Sequence, residues 1–365
     1  MRRPSGNAAA RDDGFSLVES LIAMVLMLVV TGAVFGLVNP NTQISQSQPE
    51  AMDMQQRARV ATDILTRDLF MAGAGLYAGP ATGSLTNFFA PIIPRKMGLQ
   101  NADPYTVVRS DAVTIQYVPN TYSQTTIRQP MPQPSAELKV EDMPNCPKGE
   151  ELCGFKEGMT LLIFDDEGHF DFFTVTNVQN DAGHLQHRQQ DLSYAYEAGA
   201  KVTQADTHTY YFDAASRTLR HYDGYLTDVP LVENVVGLTF NYFGDPNPPL
   251  NPKPPLGKAN CLYDAGGNLV GGLQTLATQG GSLAELPLAM LNDGPWCGNG
   301  NNRFDADLMR VRKVRITIRV EASQDAFRAS GADFANSGFS SSALRRLSDY
   351  SVRFEVTPRN MNLGR

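Results

Sequence analysis

The chain is poor in the residues that most chemistry needs, with four cysteines and five histidines in 365 residues, and it has no basic run longer than a few positions. Each scarcity excludes something. A formal net charge of −7 without a basic stretch leaves no electrostatic footprint for a phosphate backbone, so no nucleic-acid partner is expected. The histidines offer one near pair, His184 and His187, and no third nitrogen or sulfur ligand stands close enough in sequence to complete a zinc site. No Gly-x-Ser-x-Gly elbow, His-Glu-x-x-His pair, phosphate loop or dinucleotide fingerprint occurs, so the expectation is a protein that is not an enzyme and has no organic cofactor.

What the chain does have is one long apolar run. From Phe15 to Val38 its only polar members are Ser16, Glu19, Ser20 and Thr31. At ~1.5 Å per helical residue such a run can cross a bilayer core of ~30 Å. Glu19 lies inside it. An acid within a spanning helix costs roughly 2.5 to 3.5 kcal/mol on insertion scales, which marks it as a functional residue unless it snorkels back to the headgroups. Ahead of the run stand Gly14 and thirteen mostly hydrophilic residues that include Arg2, Arg3 and Arg11. An ordinary secretory signal is the competing reading, with Leu21 to Val30 as its apolar region and Thr31-Gly32-Ala33 as its cleavage site, but an acid at Glu19 serves no purpose there. In both readings the leader arginines stay cytoplasmic and everything after Val38 is exported.

Gly14-Phe15-Ser16-Leu17-Val18-Glu19 resembles the signal of type IV pilins and type II secretion pseudopilins. The resemblance implies a prepilin peptidase that cuts after Gly14 and methylates the new amine of Phe15. It also implies that Glu19 pairs, in the assembled filament, with the N-terminal ammonium of a neighbouring subunit. Asp12 and Asp13 stand where a basic residue is commoner in that family. The segment Gln55 to Gly73 is similar to the arginine-bearing helix of PilW-type minor pilins. Arg217 to Gly224 and Leu231 to Phe240 resemble a stretch shared by PilW-type pilins and J-type pseudopilins, and the ending Pro358-Arg359-Asn360 resembles the PilW group. The implied fold is α+β and type IV pilin-like: a long N-terminal helix, membrane-spanning and then amphipathic, packed on an antiparallel β-sheet domain with a disulfide-stapled insertion. The implied role is a minor pilin at pilus initiation or the tip. Its partners would be other pilins, the prepilin peptidase and the inner-membrane assembly machinery. A J-type pseudopilin is the alternative within the class, and a membrane-anchored surface binding module is the alternative outside it.

The residues divide accordingly into a leader (1–14), a transmembrane or filament-core helix (15–38), a kink and amphipathic helix (39–78), and an exported β-rich domain (79–365) with an insertion at 244–307. Asn39-Pro40 predicts a kink or unwound stretch between Gly36 and Pro49, because proline lacks an amide donor. Ala58, Ala61, Leu65, Leu69 and Ala72 recur at helical spacing and predict one buried face, ended by Gly73-Ala74-Gly75. Alternation predicts a strand over Ala112 to Tyr117, with Val113, Ile115 and Tyr117 on one face. It predicts hairpins of Met159 to Phe164 with Phe170 to Val178, and of Thr207 to Asp213 with Thr218 to Tyr222. Val236, Leu238, Phe240 and Tyr242 should share the buried face of a further strand. From Leu308 to Val320 the apolar positions change parity between Val311 and Val314, which predicts a bulge at Arg312-Lys313. A last strand is expected over Tyr350 to Val356.

The cysteines read most simply as two sequential disulfides, Cys146 with Cys153 and Cys261 with Cys297, although three connectivities exist. Each would contribute roughly 2 to 4 kcal/mol. Gly244 to Gly257 is rich in proline and is expected to run extended without packing. Near the end of the insertion Asp293, Asn299, Asn301, Asn302, Asp305 and Asp307 gather oxygen donors and form the calcium candidate, although their spacing is not that of an EF-hand. The acids of Asp165-Asp166-Glu167-Gly168 look like a cation site but are read as solvation of a hairpin turn.

Overall fold

The computed structural model describes residues 16–75, 88–119, 123–133, 135–144, 146–278, 281–293, 305–339 and 346–362. It opens with α1, Leu17–Met71, a helix of 55 residues. The backbone is helical straight through Asn39-Pro40, where the sequence predicts an interruption. Pro40 removes one donor, whose partner would be the carbonyl of Gly36. Losing one bond at a cost of ~3 kcal/mol does not end a helix that propagates on both sides.

Two strands follow, β1 (Ile92–Ile93) and β2 (Ala112–Tyr117). Then come seven short ones: β3 (Gln124–Thr126), β4 (Glu137–Lys139), β5 (Thr160–Phe164), β6 (Phe170–Thr174), β7 (Asn177–Gln179), β8 (His184–Gln186) and β9 (Lys201–Gln204). The chain continues through β10 (Asp206–Asp213), β11 (Thr218–Tyr222), β12 (Asp228–Glu233) and β13 (Val235–Gly244). It ends with β14 (Ala284–Leu286), α2 (Met290–Asp293), β15 (Val311–Val320) and β16 (Tyr350–Val356). All ladders are antiparallel, and the strand orders are β1-β2-β10-β11-β12, β14-β13-β15-β16, β3-β9-β5-β6 and β4-β8-β7. This is an α+β, pilin-like layout.

The chain divides into two compact units, Met1–Asp53 with Ala322–Ser348, and Met54–Glu321 with Asp349–Arg365. In the first, the Glu50 carboxylate accepts from the Ser323 backbone N–H and, at 2.7 and 2.8 Å, from the Ser323 hydroxyl. Buried Arg328 ties the excursion to itself, donating to the carbonyls of Ala322 (2.8 Å) and Ser323 (3.0 Å) and pairing with Asp325 at 2.7 Å.

In the second unit the helix buries the face its spacing predicts: Met54, Ala58, Ala61, Leu65, Leu69 and Ala72 are all at most 3% exposed. Each buried leucine contributes ~1.5 to 3 kcal/mol. Asp68 lies on the same face, accepts from the Tyr210 hydroxyl of β10 and pairs with Arg67 at 3.1 Å. Gly73 stops the helix at φ 70° and donates to the Gln116 carbonyl at 2.9 Å.

β2 pairs β10 from Ala112↔Tyr211 to Tyr117↔Asp206, so the chain leaves this sheet after β2 and returns to the neighbouring position at β10. The intervening β3–β9 form a module with its own core, including Ile127, Leu138, Leu152, Leu161, Phe173, Leu185 and Val202. Sequence alternation missed it and expected only one face of β2 to be buried. In the structure Thr114 and Gln116 are also 0% exposed, with Thr114 bonded to Thr209 at 2.8 Å. The predicted strand Phe170–Val178 is likewise two strands, because the chain changes sheet after Thr174: Val175 donates to Met159 and Thr176 to Gln186.

The bulge at Arg312 is present. Phe243 pairs Lys313 and Gly244 pairs Val311, so the register shifts by one residue at Arg312, whose guanidinium donates to the carbonyls of Met309 and Val311 and pairs Asp245 at 3.1 Å. The strand begins at Val311 rather than Leu308, since Ala306–Arg310 is a 3₁₀ turn. A second bulge falls at Val236, between Val235↔Val320 and Gly237↔Arg319. Val235 therefore takes the fully buried place that alternation assigns to Val236. Within the proline-rich stretch Pro252 and Pro254 are buried, contrary to expectation, while Leu250 and Leu256 are exposed; further along, β14 extends the sheet beside β13, and Leu262, Tyr263 and Ala306 form a small core. Tyr263 ties the proline-rich stretch to the rest of the insertion by donating to the Leu250 carbonyl at 2.8 Å.

Candidate assembly site

Leu17–Leu37 is a stretch of 21 residues with mean hydropathy 2.5, and none of it is buried. Leu17 is 78% exposed, Leu28 68% and Leu37 70%. Aliphatic side chains left in water forfeit ~1.5 to 3 kcal/mol each, so this surface is stable only when lipid or other helices cover it. The run forms a helix because it contains no proline and only the two glycines Gly32 and Gly36, and because its start is capped. Ser16 is the cap: its hydroxyl oxygen accepts from the Val18 N–H at 3.3 Å and its carbonyl from the Ser20 N–H at 3.1 Å. Glu19 then occupies the first turn, where a carboxylate favours the positive end of the helix dipole. Ser16-Leu17-Val18-Glu19 carries the Ser-x-x-Glu pattern of a capping box, a local signal of the helix start that apolar periodicity alone does not show.

Gly14 and Phe15, the cleavage and methylation residues, lie outside the described residues, and so do Cys297, Asn299, Asn301 and Asn302. Cys146 and Cys153 are joined, with Cα atoms 5.6 Å apart, and Cys261 is disulfide-bonded. Of the calcium candidates, Asp293 ends α2, with its side chain outside the description. Asp305 and Asp307 are fully buried but carry other duties. Asp305 caps the 3₁₀ turn by accepting from the Asp307 N–H at 2.8 Å, and Asp307 pairs buried Arg310 at 3.1 Å. Arg310 in turn donates to the Asp245 carbonyl. The guanidinium supplies the positive charge that the calcium reading sought for Asp307.

His184 opens β8 and His187 follows its last residue, and the two make separate contacts. His184 is 3.4 Å from Glu137, and His187 is fully buried with Nδ1 2.9 Å from the Gln190 carbonyl. Burial pushes the His187 imidazole below its ordinary range. At the β5–β6 turn the structure adds a residue to the acids read from sequence. His169 Nδ1 is 2.8 Å from Asp165, and ligand atoms of Asp165, Glu167 and His169 come within 4.8 Å of one another. Asp165 also accepts from the Glu167 and His169 N–H groups at 2.8 and 3.0 Å, while Lys258 pairs Glu167 at 2.9 Å and Lys201 pairs Asp166. These contacts order the β5–β6 turn and set its acids against Lys201 and Lys258.

Residues 10–35 match the family model described as a prokaryotic N-terminal methylation motif. Comparison with curated proteins and with solved structures gave no match. A prepilin-type signal leading into an exposed apolar helix, followed by antiparallel sheets and a disulfide, supports a type IV pilin-like protein, pilin or pseudopilin. The same features are consistent with membrane anchoring and incorporation into a pilus.

Proposed function

We propose that this chain is a minor pilin of the PilW type, held in the inner membrane with its β-rich domain in the periplasm, then built into a type IV pilus at initiation or the tip. The observation that carries the reading is the wholly exposed Leu17–Leu37 surface, most of which lies within a methylation motif, with Glu19 as the only charge in it. Prepilin peptidase cuts after Gly14. The Phe15 ammonium so created is the partner for Glu19 in the neighbouring subunit, and removing either half leaves an uncompensated buried charge worth roughly 3 to 5 kcal/mol. Other pilins and the inner-membrane assembly machinery are the partners, and the domain surfaces supply lateral contacts.

Mass spectrometry of the mature N-terminus should find methylated Phe15, and Glu19→Ala should abolish pilus assembly without changing the melting temperature. An unmethylated N-terminus at residue 33 or 34, or normal piliation by the variant, would sink the reading. The self-cored module β3–β9 supports a second reading, an anchored binding module, which gains if assembly survives Glu19→Ala. Loss of exoprotein secretion with intact pili on deletion of the chain would instead favour the J-type pseudopilin, whose resemblance over 217–240 is shared.

A further inference from the structure

A cavity of about 180 Å³ lies along the open edge of β6. Because β6 is the outer strand of its sheet, residues of both its faces line the cavity: Phe170 and Phe172 from one, Asp171 and Phe173 from the other. Tyr105, one face of whose ring already takes the Arg95 guanidinium at 5.2 Å, and Asp191 add a further aromatic ring and a further carboxylate, and among the described residues no lysine, arginine or histidine lines the cavity. Asp171 is 8% exposed. Its Oδ2 accepts from the N–H groups of Ser193 (2.7 Å) and Tyr194 (3.2 Å) and from the Tyr196 hydroxyl (2.9 Å). Those donors are neutral, so they orient the carboxylate without balancing its charge, and burial pushes Asp171 above the usual carboxylate range.

The strand edge contributes as well. Gln190 covers it at Thr174, accepting from the Thr174 N–H at 2.7 Å and donating to the Thr174 carbonyl at 2.8 Å. By the two-residue parity of an antiparallel ladder, the Phe172 N–H and C=O face the same open side.

We propose that this cavity binds the head group of an organic cation, an alkylammonium or a guanidinium. Aromatic faces attract such a cation, and an oriented carboxylate with a backbone carbonyl accepts its N–H donors. An anion meets two carboxylates, and a hard metal ion finds aromatic rings where it needs six to eight oxygens. Small-molecule pockets commonly span ~300 to 1,000 Å³, so a cavity of this size admits a head group and leaves the rest of the ligand outside. The cation comes either from a free amine or from a lysine or arginine side chain of a protein partner.

Calorimetric titration of the full chain in detergent micelles tests this with four probes: propylammonium, and the N-acetyl, N′-methylamide forms of lysine, arginine and norleucine. The lysine or arginine probe should bind and the isosteric norleucine probe should not. Asp171→Asn should weaken binding tenfold or more, and Tyr105→Ala, at a more exposed position, several-fold. Should Asp171→Asn fail to fold, the isostere comparison and Tyr105→Ala still decide. Equal affinity for propylammonium and the lysine probe points to a free amine, whereas tighter binding of the blocked amino acid points to a side chain whose backbone is read at Phe172. Norleucine binding as well as lysine, no binding of any probe at millimolar concentration, or unchanged affinity in Tyr105→Ala would overturn the assignment. None of these outcomes bears on the assembly helix.

Discussion

Two stretches of α1 differ in where their apolar side chains end. Between Met54 and Ala72 the apolar residues occupy one face, and that face is covered by the chain's own sheet. Between Leu17 and Leu37 they occupy every face, and the chain covers none of them. A one-sided stripe can be satisfied by a single intramolecular surface, whereas a helix apolar all round needs surroundings on every side. The first stretch is therefore a folding element, and the second becomes stable only in lipid or among other helices.

The contrast can be broken by substitution. Leu69→Ala, at a fully buried position, should lower stability by about 2 to 5 kcal/mol in urea or thermal unfolding. Leu28→Ala, 68% exposed, should change it by less than ~0.5 kcal/mol. Equal effects would mean that the two stretches are not different in kind. Glu50, placed between them, sharpens the comparison. Glu50→Gln weakens a charge-assisted contact with Ser323, so ~1.5 to 3 kcal/mol of local stability should be lost, seen as faster limited proteolysis of residues 322–348 with an unchanged global unfolding midpoint.

The smallest effect is a pH dependence beside the buried stretch. His208 lies 3.9 Å from Asp68 and 2.8 Å from His221, whose imidazole is pushed below its ordinary range by desolvation and by His208. The unfolded chain then binds that proton first, so this contribution to stability is complete above about pH 6.5 and is lost as pH falls toward the lower folded value. Urea midpoints measured from pH 7.5 down to pH 5 should fall, and His221→Gln should flatten the slope. An unchanged slope in the variant would place the dependence elsewhere.

Much of this was legible in order along the chain, because helix faces, strand alternation and parity changes are local patterns. The apolar run, the buried face from Ala58 to Ala72, the hairpin of β10 and β11 and the bulge at Arg312 all belong to that kind. Other features depended on residues distant in sequence. The pairing of β2 with β10 joins Tyr117 to Asp206, and only that closure reveals β3–β9 as an inserted module. Arg310 beside Asp307, and the register with β15 that buries Val235 rather than Val236, are contacts that local spacing does not encode.

By itself the sequence determined the N-terminal segment: a glycine, an apolar helix and one carboxylate within a methylation motif, whose pattern rests on hydropathy and spacing over some twenty residues. The tertiary structure decided what the remaining charges and rings do. It gave Asp68 a tyrosine, Glu50 a serine and Asp307 an arginine, and it left Asp171 among aromatic rings along an open strand edge. Spacing along a chain sets which face a side chain occupies, but the charge and polarity of what it meets there are set by residues dozens to hundreds of positions away.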